Sequence, residues 1–145
     1  MSFAADVSGL AGLPVIGFLA IVFALTGHWQ QTWQLFIGTA ITYAIIIAVR
    51  AKLFKDRPKK KPYTAGNFIE KMWANSLVSL HTARATLLTF VLAQFFNSIT
   101  FMMLFAVIVP IVAFSRYYLK QHYVVDLFTA LVVGIIGSAI ALYLF

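Results

Sequence analysis

Long apolar runs separated by short polar segments dominate the chain, and they are typical of membrane-spanning helices. A helix needs about 20 mostly apolar residues to cross the hydrocarbon core of a bilayer. The pattern predicts five such spans, at about residues 9–26, 33–49, 77–97, 99–114 and 122–145. It therefore predicts an all-α fold, a polytopic membrane helix bundle whose five transmembrane helices form a single domain over residues 1–145.

A basic loop and a short interfacial helix are expected between the second and third spans, over residues 50–76. All eleven Lys and Arg residues of the chain lie between Arg50 and Lys120. In residues 64–76, apolar and polar side chains fall on opposite sides of a helix, which is the pattern of a helix lying flat on a membrane. The apolar side consists of Phe68, Ile69, Met72 and Trp73.

Composition supports a membrane protein and narrows its partners. The chain is 62% hydrophobic and 10% charged, whereas soluble domains carry roughly 25% charged residues. The formal net charge of +7 lies in segments tethered between spans, so nucleic acid is not an expected partner, and anionic lipid or phosphate is. Cysteine is absent, which excludes disulfide and thiolate chemistry.

Alternation of the five spans brings most of the polar chemistry to one membrane face. The ends of the second and fourth spans and the starts of the third and fifth all reach this face. It receives eight polar side chains: Arg50, Arg57, Ser79, His81, Arg84, Arg116, His122 and Asp126. The opposite face receives no Asp, Glu, Lys or Arg.

Two histidines, a carboxylate and several arginines on one face predict phosphoryl transfer. Arginines bind phosphate oxygens and neutralise the charge that develops during transfer. One histidine attacks phosphorus and the other protonates the leaving oxygen. Asp126 follows His122 by four residues, so a helix starting near His122 would let the carboxylate accept one ring proton and leave the other nitrogen free.

The residues around His122 form the most specific motif. Ser115 and Arg116 are followed by five residues, His122, three residues and Asp126. This arrangement resembles in full the third signature of the type 2 phosphatidic acid phosphatases, relatives of the vanadium haloperoxidases. The resemblance covers about residue 50 to the C-terminus and implies a membrane lipid phosphatase, in a family whose membrane members commonly have six spans.

Two further segments resemble the other signatures of this family. Arg57 and Pro58, with Arg50 seven residues before Arg57, resemble Lys-x6-Arg-Pro with arginine in place of lysine. Residues 78–81, Val-Ser-Leu-His, resemble Pro-Ser-Gly-His with valine in place of proline and leucine in place of glycine. The family holds phosphate with backbone N–H groups at this loop, so the leucine is a departure that bears on phosphate binding.

The resemblance implies a role for each matched residue. His122 would be the nucleophile and form a phosphohistidine, and Asp126 would orient and polarise it. His81 would protonate the leaving group and then activate water. The phosphate oxygens would be bound by Arg50, Arg57, Ser79 and Arg116. The family requires no metal or other cofactor, and Arg84 lies outside its signatures.

Three other functions fit the same residues. His81, His122 and Asp126 are suitable ligands for a hydrolytic metal, although the surrounding arginines would repel a cation. A lipid phosphotransferase on the same scaffold would pass the phosphate to an alcohol instead of water. A non-catalytic subunit would use the basic face only to bind or transport anionic lipids.

The substrate is expected to be a lipid, because the site would lie at the membrane. Phosphatidic acid, phosphatidylglycerophosphate and a polyprenyl diphosphate all fit. The chain is expected to be a multi-pass protein of the cell membrane. Its Lys and Arg distribution favours a cytoplasmic active face, whereas the family usually places this face outside. We expect the extracytoplasmic placement, since some of these cations are present to bind phosphate.

Overall fold

The computed structural model describes residues 12–58 and 66–145, and these residues form helices without any strand. The helices are α1 (Leu13–Leu25), α2 (Trp29–Lys52), α3 (Phe68–Ala74), α4 (Leu80–Phe96), α5 (Ile99–Tyr118) and α6 (Val124–Leu144). The all-α bundle expected from the apolar pattern is thereby confirmed. The expected starts of the first span and of the interfacial helix, at residues 9 and 64, lie outside the described residues.

Five of these helices correspond to the five expected spans, but they differ in length. Within the described residues, α2, α5 and α6 are long and apolar enough to cross a membrane. Helix α1 has 13 described residues and α4 has 17. At 1.5 Å per residue these two helices are roughly 20 and 26 Å long, shorter than a hydrocarbon core of about 30 Å.

Two helices begin two or three residues later than the sequence predicts, at Leu80 and Val124, and each begins with a polar cap. Helix α4 begins after Ser79, whose hydroxyl accepts a hydrogen bond from the N–H of Thr82. Helix α6 begins after Tyr123, because the Asp126 carboxylate accepts the Tyr123 N–H at 2.9 Å. These caps satisfy backbone groups that lack an intrahelical partner. They leave Ser79, His122 and Tyr123 in the segments before the helices.

Helix α4 lies at the centre of the bundle, in contact with α2, α5 and α6. Its residues 82–88 are all buried, as expected of a helix surrounded on every side. Contact with α6 is close because Gly134 has no side chain: a Cβ there would lie 2.6 Å from Thr86 Cβ and 2.7 Å from the Ala83 carbonyl oxygen. Small residues allow such close approach between membrane helices.

The outward surface of the bundle is apolar. Large side chains such as Phe18 on α1, Phe36 on α2, Met103 on α5 and Phe128 on α6 are each more than half exposed. Soluble monomers rarely expose continuous apolar surface of this kind. This surface fits the acyl chains of a bilayer. The short helix α3 also exposes apolar side chains, and it lies within the expected interfacial segment.

Candidate active site

The ends of four helices meet at one end of the bundle, which we call the polar end: residues 50–57, 75–84 and 115–126. The Ser79 N–H, before α4, donates to the Asp126 carbonyl oxygen in α6 at 3.2 Å. Arg57 lies close enough to act electrostatically on Arg50, Arg116, His81 and His122. The structure therefore brings together both histidines and the three signature arginines, as the alternation of spans predicts.

His122 is buried, with 3% of its surface exposed, and its ring is held by one backbone group. Its Nδ1 lies 2.7 Å from the carbonyl oxygen of Ser76. Because a carbonyl oxygen can only accept, Nδ1 carries the hydrogen and Nε2 keeps its lone pair. This is the tautomer that an attack through Nε2 requires.

Burial and neighbouring cations keep the His122 imidazole neutral. Burial, followed by the positive charges of Arg116 and Arg57, lowers the pKa of His122 to about 4, against the opposing effects of the Ser76 carbonyl and Asp126. A charged imidazole is disfavoured both in a low-dielectric interior and beside other cations. At neutral pH, His122 is thus available as a nucleophile without first losing a proton.

Asp126 is fully buried and bound to groups other than the His122 ring. Its Oδ1 accepts from the Lys55 ammonium at 3.1 Å and its Oδ2 accepts from the Tyr123 N–H at 2.9 Å. The expected contact with His122 assumed helical geometry, but α6 begins only at Val124, so the i, i+4 relation does not apply. The charge of Asp126 still acts on His122. Its role in orienting the imidazole stays a prediction.

Arg50 binds the protein backbone in this structure. Its guanidinium donates to the carbonyl oxygens of Leu77 (2.8 Å), Met72 (3.0 Å) and Val78 (2.9 Å). An arginine has five N–H donors spread over a planar guanidinium, whereas the lysine of the family signature has three on a single nitrogen. The substitution therefore lets Arg50 hold the segment before α4. Its expected role in phosphate binding remains a prediction.

The segment before α4 has a backbone conformation that the signature proline could not adopt. Val78 has φ +57°, in the left-handed region that β-branched residues rarely occupy, whereas proline is locked near −65°. The hydrogen bond from Arg50 to the Val78 carbonyl helps to hold this strained residue. Leu80 is the first residue of α4, where an ordinary side chain is tolerated, so its replacement of glycine causes no conformational conflict.

Arg57 is suited to bind an anion at the polar end. It is half-buried, and its Nε is buried without a hydrogen-bond partner. Burial lowers the pKa of Arg57 from its ordinary value. A buried N–H group without a partner is costly, and a bound phosphate oxygen would satisfy it. Arg116, buried at the end of α5, donates to the Gln121 side-chain oxygen.

His81 and Ser79 lie at the start of α4, opposite the His122 segment. His81 is half-buried and lies within the electrostatic influence of Arg116 and Arg57. Ser79 is fully buried, and its hydroxyl and its amide are both used in the structure, to cap α4 and to bind the Asp126 carbonyl. Of the two, His81 is the more accessible to a ligand at this end.

Arg84, one turn further into α4, lies apart from this cluster. Its guanidinium donates to the Tyr43 hydroxyl and lies 5.0 Å from the centroid of the Tyr43 ring on α2. Tyr43 thus provides both a hydrogen bond and a cation–π contact for a charge buried in the bundle. This pairing stabilises the buried charge of Arg84, which lies outside the family signatures.

Asn75 organises the polar end, although no sequence motif pointed to it. Its Nδ2 donates to the carbonyl oxygens of Leu53 (2.6 Å) and Arg50 (3.3 Å). Its Oδ1 accepts from the N–H groups of Leu77 (2.9 Å) and Lys55 (3.3 Å). A single side chain therefore ties the segment after α2 to the segment before α4. All four partners are backbone atoms, so residue spacing carried no signal for them.

The described residues contain no group of three or more His, Cys, Asp or Glu side chains arranged to hold a metal ion. His81, His122 and Asp126 accordingly do not form such a group in this structure. The ring nitrogen His122 Nδ1 and both Asp126 oxygens are instead bonded to protein groups.

An apolar groove of about 680 Å³ begins beside the polar end and runs between α4, α5 and α6. At the polar end it is lined by Thr82, Ala113 and Leu127, which are close in sequence to His81, Arg116 and Asp126. Phe90 and Met102 line its deeper part. The hydroxyls of the lining residues Thr86 and Thr89 bond to α4 carbonyls, which adds to the apolar character of the groove.

A helix bundle with apolar outer walls and histidines among arginines at one end fits the class of membrane-bound phosphatases. The chain belongs to the PAP2 superfamily, whose family model matches residues 31–145. The family expected from the three signatures is thus confirmed.

Comparison with solved structures supports the same fold. The chain is similar to the crystal structure of LpxE from Aquifex aeolicus, with a TM-score of 0.80 and 18% sequence identity over 97% of this chain and 84% of that one. No sequence among the curated proteins matches it significantly.

Proposed function

We propose that this protein is an integral-membrane lipid phosphatase that hydrolyses a phosphomonoester or diphosphate of a lipid through a phosphohistidine on His122. One observation carries the proposal. A buried imidazole, with Nδ1–H bound to the Ser76 carbonyl, lies within the electrostatic influence of Arg57 and Arg116. A neutral nucleophile beside two phosphate-binding cations is the arrangement that attack on a phosphate requires.

In the first step the lipid is released. Arg57 and Arg116, with Arg50 and Ser79 as further proposed ligands, bind the non-bridging phosphate oxygens. The Nε2 lone pair of His122 forms a bond to phosphorus while the bond from phosphorus to the leaving oxygen breaks. The negative charge of the bound phosphate favours the protonated form of His81. His81 then transfers its proton to the leaving oxygen, so the lipid leaves as an alcohol or, from a diphosphate, as a lipid monophosphate.

In the second step water releases the phosphate. His81, now neutral, takes a proton from water, and the resulting hydroxide attacks phosphorus as the bond to His122 Nε2 breaks. The phosphorylated imidazole is positively charged. The Ser76 carbonyl, bonded to Nδ1–H, and the nearby charge of Asp126 stabilise this intermediate. Inorganic phosphate leaves and His122 returns to its neutral form.

Arginines supply the charge neutralisation that a metal supplies in other phosphatases, so we propose a metal-independent reaction. Three guanidinium groups, of Arg50, Arg57 and Arg116, lie at the polar end. They stabilise the charge on the equatorial oxygens in the transition state. Activity is expected to survive a strong chelator unchanged.

The groove between α4, α5 and α6 supports a lipid rather than a soluble phosphate ester. At one end its lining residues are close in sequence to the residues of the proposed site. From there it continues between the helices, where its lining is apolar. A substrate tail in this groove would gain free energy from burial of apolar surface. The phosphate of such a substrate would then lie at the polar end.

The location we propose is the cell membrane, crossed several times, with the polar end on the extracytoplasmic side. The chain has no cysteine, so a single Lys52→Cys variant offers one labelling site near the polar end. Labelling of intact cells by a membrane-impermeant maleimide is expected. Labelling only after the cells are opened would place the polar end in the cytoplasm.

The function is tested by phosphate release from lipid phosphates by the purified protein in bilayers. The panel comprises phosphatidic acid, phosphatidylglycerophosphate and a polyprenyl diphosphate, with glycerol phosphate as the substrate that lacks a tail. We expect release from at least one lipid, little from glycerol phosphate, and a loss on the order of 10³-fold or more in His122→Ala.

Two further measurements separate this function from its alternatives. Brief reaction with ³²P-labelled lipid should give an acid-labile, base-stable phosphoprotein that is absent in His122→Ala. Addition of a primary alcohol distinguishes hydrolysis from transfer, because a phosphotransferase would form a phosphorylated alcohol. Full activity of His122→Ala would contradict the proposed mechanism. Loss of wild-type activity on addition of a chelator would also contradict it.

A further inference from the structure

Lys55 contacts both elements that surround the His122 segment, although it lies outside the three signature motifs. Its ammonium binds Asp126 Oδ1 at 3.1 Å and lies 4.2 Å from the centroid of the Tyr123 ring. Its backbone N–H donates to Asn75 Oδ1 at 3.3 Å, and its carbonyl oxygen accepts from the Ser76 N–H at 2.8 Å. One residue therefore reaches the start of α6 by its side chain and the segment before α4 by its backbone.

Ser76 connects Lys55 to the nucleophile. It is fully buried, and its N–H is bound to the Lys55 carbonyl while its own carbonyl accepts the His122 Nδ1–H at 2.7 Å. The two peptide groups that flank Ser76 are thus each hydrogen-bonded, the second also through the Leu77 N–H to Asn75 Oδ1, which restricts rotation of the Ser76 backbone. The direction of the His122 ring is thus coupled to the position of the Lys55 backbone.

The Lys55 side chain also binds the carboxylate whose charge acts on His122. Asp126 Oδ1 is bound to Lys55, and Asp126 Oδ2 is bound to the Tyr123 N–H. Each oxygen of this carboxylate therefore has a protein partner. The Nδ1 hydrogen of His122 is donated to the Ser76 carbonyl instead.

We propose that Lys55 is a positioning residue for His122: its side chain retains Asp126, and its backbone places the Ser76 carbonyl as the acceptor of the Nδ1 hydrogen. The catalytic meaning of this arrangement rests on the proposed phosphatase function. The arrangement itself is a property of the protein without substrate.

The ion pair between Lys55 and Asp126 reduces the effect of the negative charge of Asp126 on His122. The charged groups that act on His122 are Arg116 from α5, Arg57 from the segment after α2, and Asp126 from α6. Lys55 offsets the one negative charge among them. A neutral carbonyl also stabilises an imidazolium less than a carboxylate does. Lys55 therefore favours the neutral, attacking form of His122.

The test uses four variants of the full-length protein in bilayers. Lys55→Met removes the ammonium and keeps an apolar stem, and Lys55→Arg keeps the charge. Lys52→Met removes an exposed cation from the same segment and is the matched control. The double variant Lys55→Met with Asp126→Asn removes both charges of the pair between partly exposed Lys55 and buried Asp126. It therefore leaves no uncompensated buried carboxylate if Lys55→Met alone fails to fold.

Two readouts are measured on each variant. Ring ¹⁵N NMR of the three histidines, assigned with His28→Gln and His81→Gln, reports the tautomer and pKa of His122 without any substrate. The pH dependence of kcat on the lipid substrate reports the same ionisation during turnover. A purely structural defect would lower kcat at every pH without shifting the pH at which kcat falls on the acidic side of the profile, which we call the acidic limb.

We expect wild-type His122 to carry its hydrogen on Nδ1. In Lys55→Met, the uncompensated Asp126 raises the pKa of His122 and the acidic limb by about one unit or more. Loss of positioning lowers kcat about tenfold, with a smaller change in KM. Lys55→Arg and Lys52→Met keep the wild-type limb, and the double variant returns the limb towards the wild-type position.

An Nε2–H tautomer in the wild type would overturn the inference. An unmoved His122 pKa in Lys55→Met, or an equal shift in Lys52→Met, would also overturn it. Failure of the proposed function is distinguishable, because a protein that releases no phosphate still gives the NMR result, and that result alone decides whether Lys55 positions His122.

Discussion

The two ends of the bundle contrast in how their side chains are held. At the polar end, charged and amide side chains bind backbone carbonyls, as Arg50 does at three positions. The opposite end, which we call the aromatic end, comprises residues 23–36, 94–101 and 143–145. Its rings pack on one another, with centroid distances of 4.9 Å for Phe23–Phe95 and 4.3 Å for Phe96–Phe101. These three segments contain no Asp, Glu, Lys or Arg.

Each end contains histidine, and the surroundings give it different properties. His28, at the aromatic end, is exposed and lies edge-on to the rings of Phe23 and Phe95. His122, at the polar end, is buried, bound to a carbonyl through Nδ1, and subject to the positive charges of two arginines. The comparison teaches that the tautomer and charge of an imidazole follow from its fixed partners and from nearby charge, and not from the residue type.

The largest expected effect comes from the second histidine of the polar end. His81→Ala should lower kcat on the lipid substrate by about 10²–10⁴-fold, because the leaving oxygen loses its proton donor. His28→Ala is the matched change at the aromatic end and should leave kcat within about twofold. Phosphate release by both variants, at equal folded protein, provides the comparison.

Dependence on the leaving group sharpens this first prediction. A substrate whose leaving oxygen needs no proton, such as a nitrophenyl phosphate ester with a long alkyl tail, should lose less activity in His81→Ala. Equal losses with good and poor leaving groups would contradict the role of His81 as an acid in the first step.

Removal of one cation at the polar end should have the next largest effect. Arg57→Gln should lower kcat/KM by about 10–100-fold, since a charge-assisted hydrogen bond to phosphate contributes about 1.5–3 kcal/mol. Lys52→Gln removes the same charge from an exposed position nearby and should change kcat/KM only slightly. Initial rates at several ionic strengths separate the two variants, and equal losses would mean that only total charge matters.

The contact that holds α4 against α6 should be sensitive to a single methyl group. In Gly134→Ala the new Cβ would lie within 2.7 Å of the Ala83 carbonyl oxygen, so we expect a loss of about 1–3 kcal/mol in the free energy of unfolding. Gly17→Ala on α1 places its Cβ in open space, with nothing within 4 Å, and should not destabilise. Thermal unfolding in the same detergent measures both, and equal melting temperatures would contradict the close packing.

The smallest expected effect is a dependence of stability on pH. The pKa of His122 is lowered from its ordinary 6.5 to about 4 in the folded protein, so the unfolded chain binds more protons between these values. Folding stability must therefore fall as the pH decreases through this window, by about 1 kcal/mol between about pH 7.5 and about pH 5.5. His122→Gln should lose this part of the pH dependence, measured as the unfolding temperature at the two pH values.

The sequence by itself determined the bundle, its polar end and the family. Apolar runs can only be buried by helices that span or pack together, and their alternation brings residues 50–57, 78–84 and 115–126 to one end. The three signature segments, in order and at span ends on one face, indicated the family, which is confirmed by the match over residues 31–145. These features depend on hydrophobic pattern and on local spacing, which are explicit in the residue order.

The tertiary structure alone decided the partners within the polar end. His122 binds the carbonyl of a residue 46 positions away, and Lys55 binds Asp126 across 71 positions. Arg50 and Asn75 bind backbone atoms, which every residue possesses, so no residue type marks those contacts in the sequence. The physical reason is that a hydrogen bond depends on where helix ends meet in space, and the meeting point follows from the packing of the whole bundle.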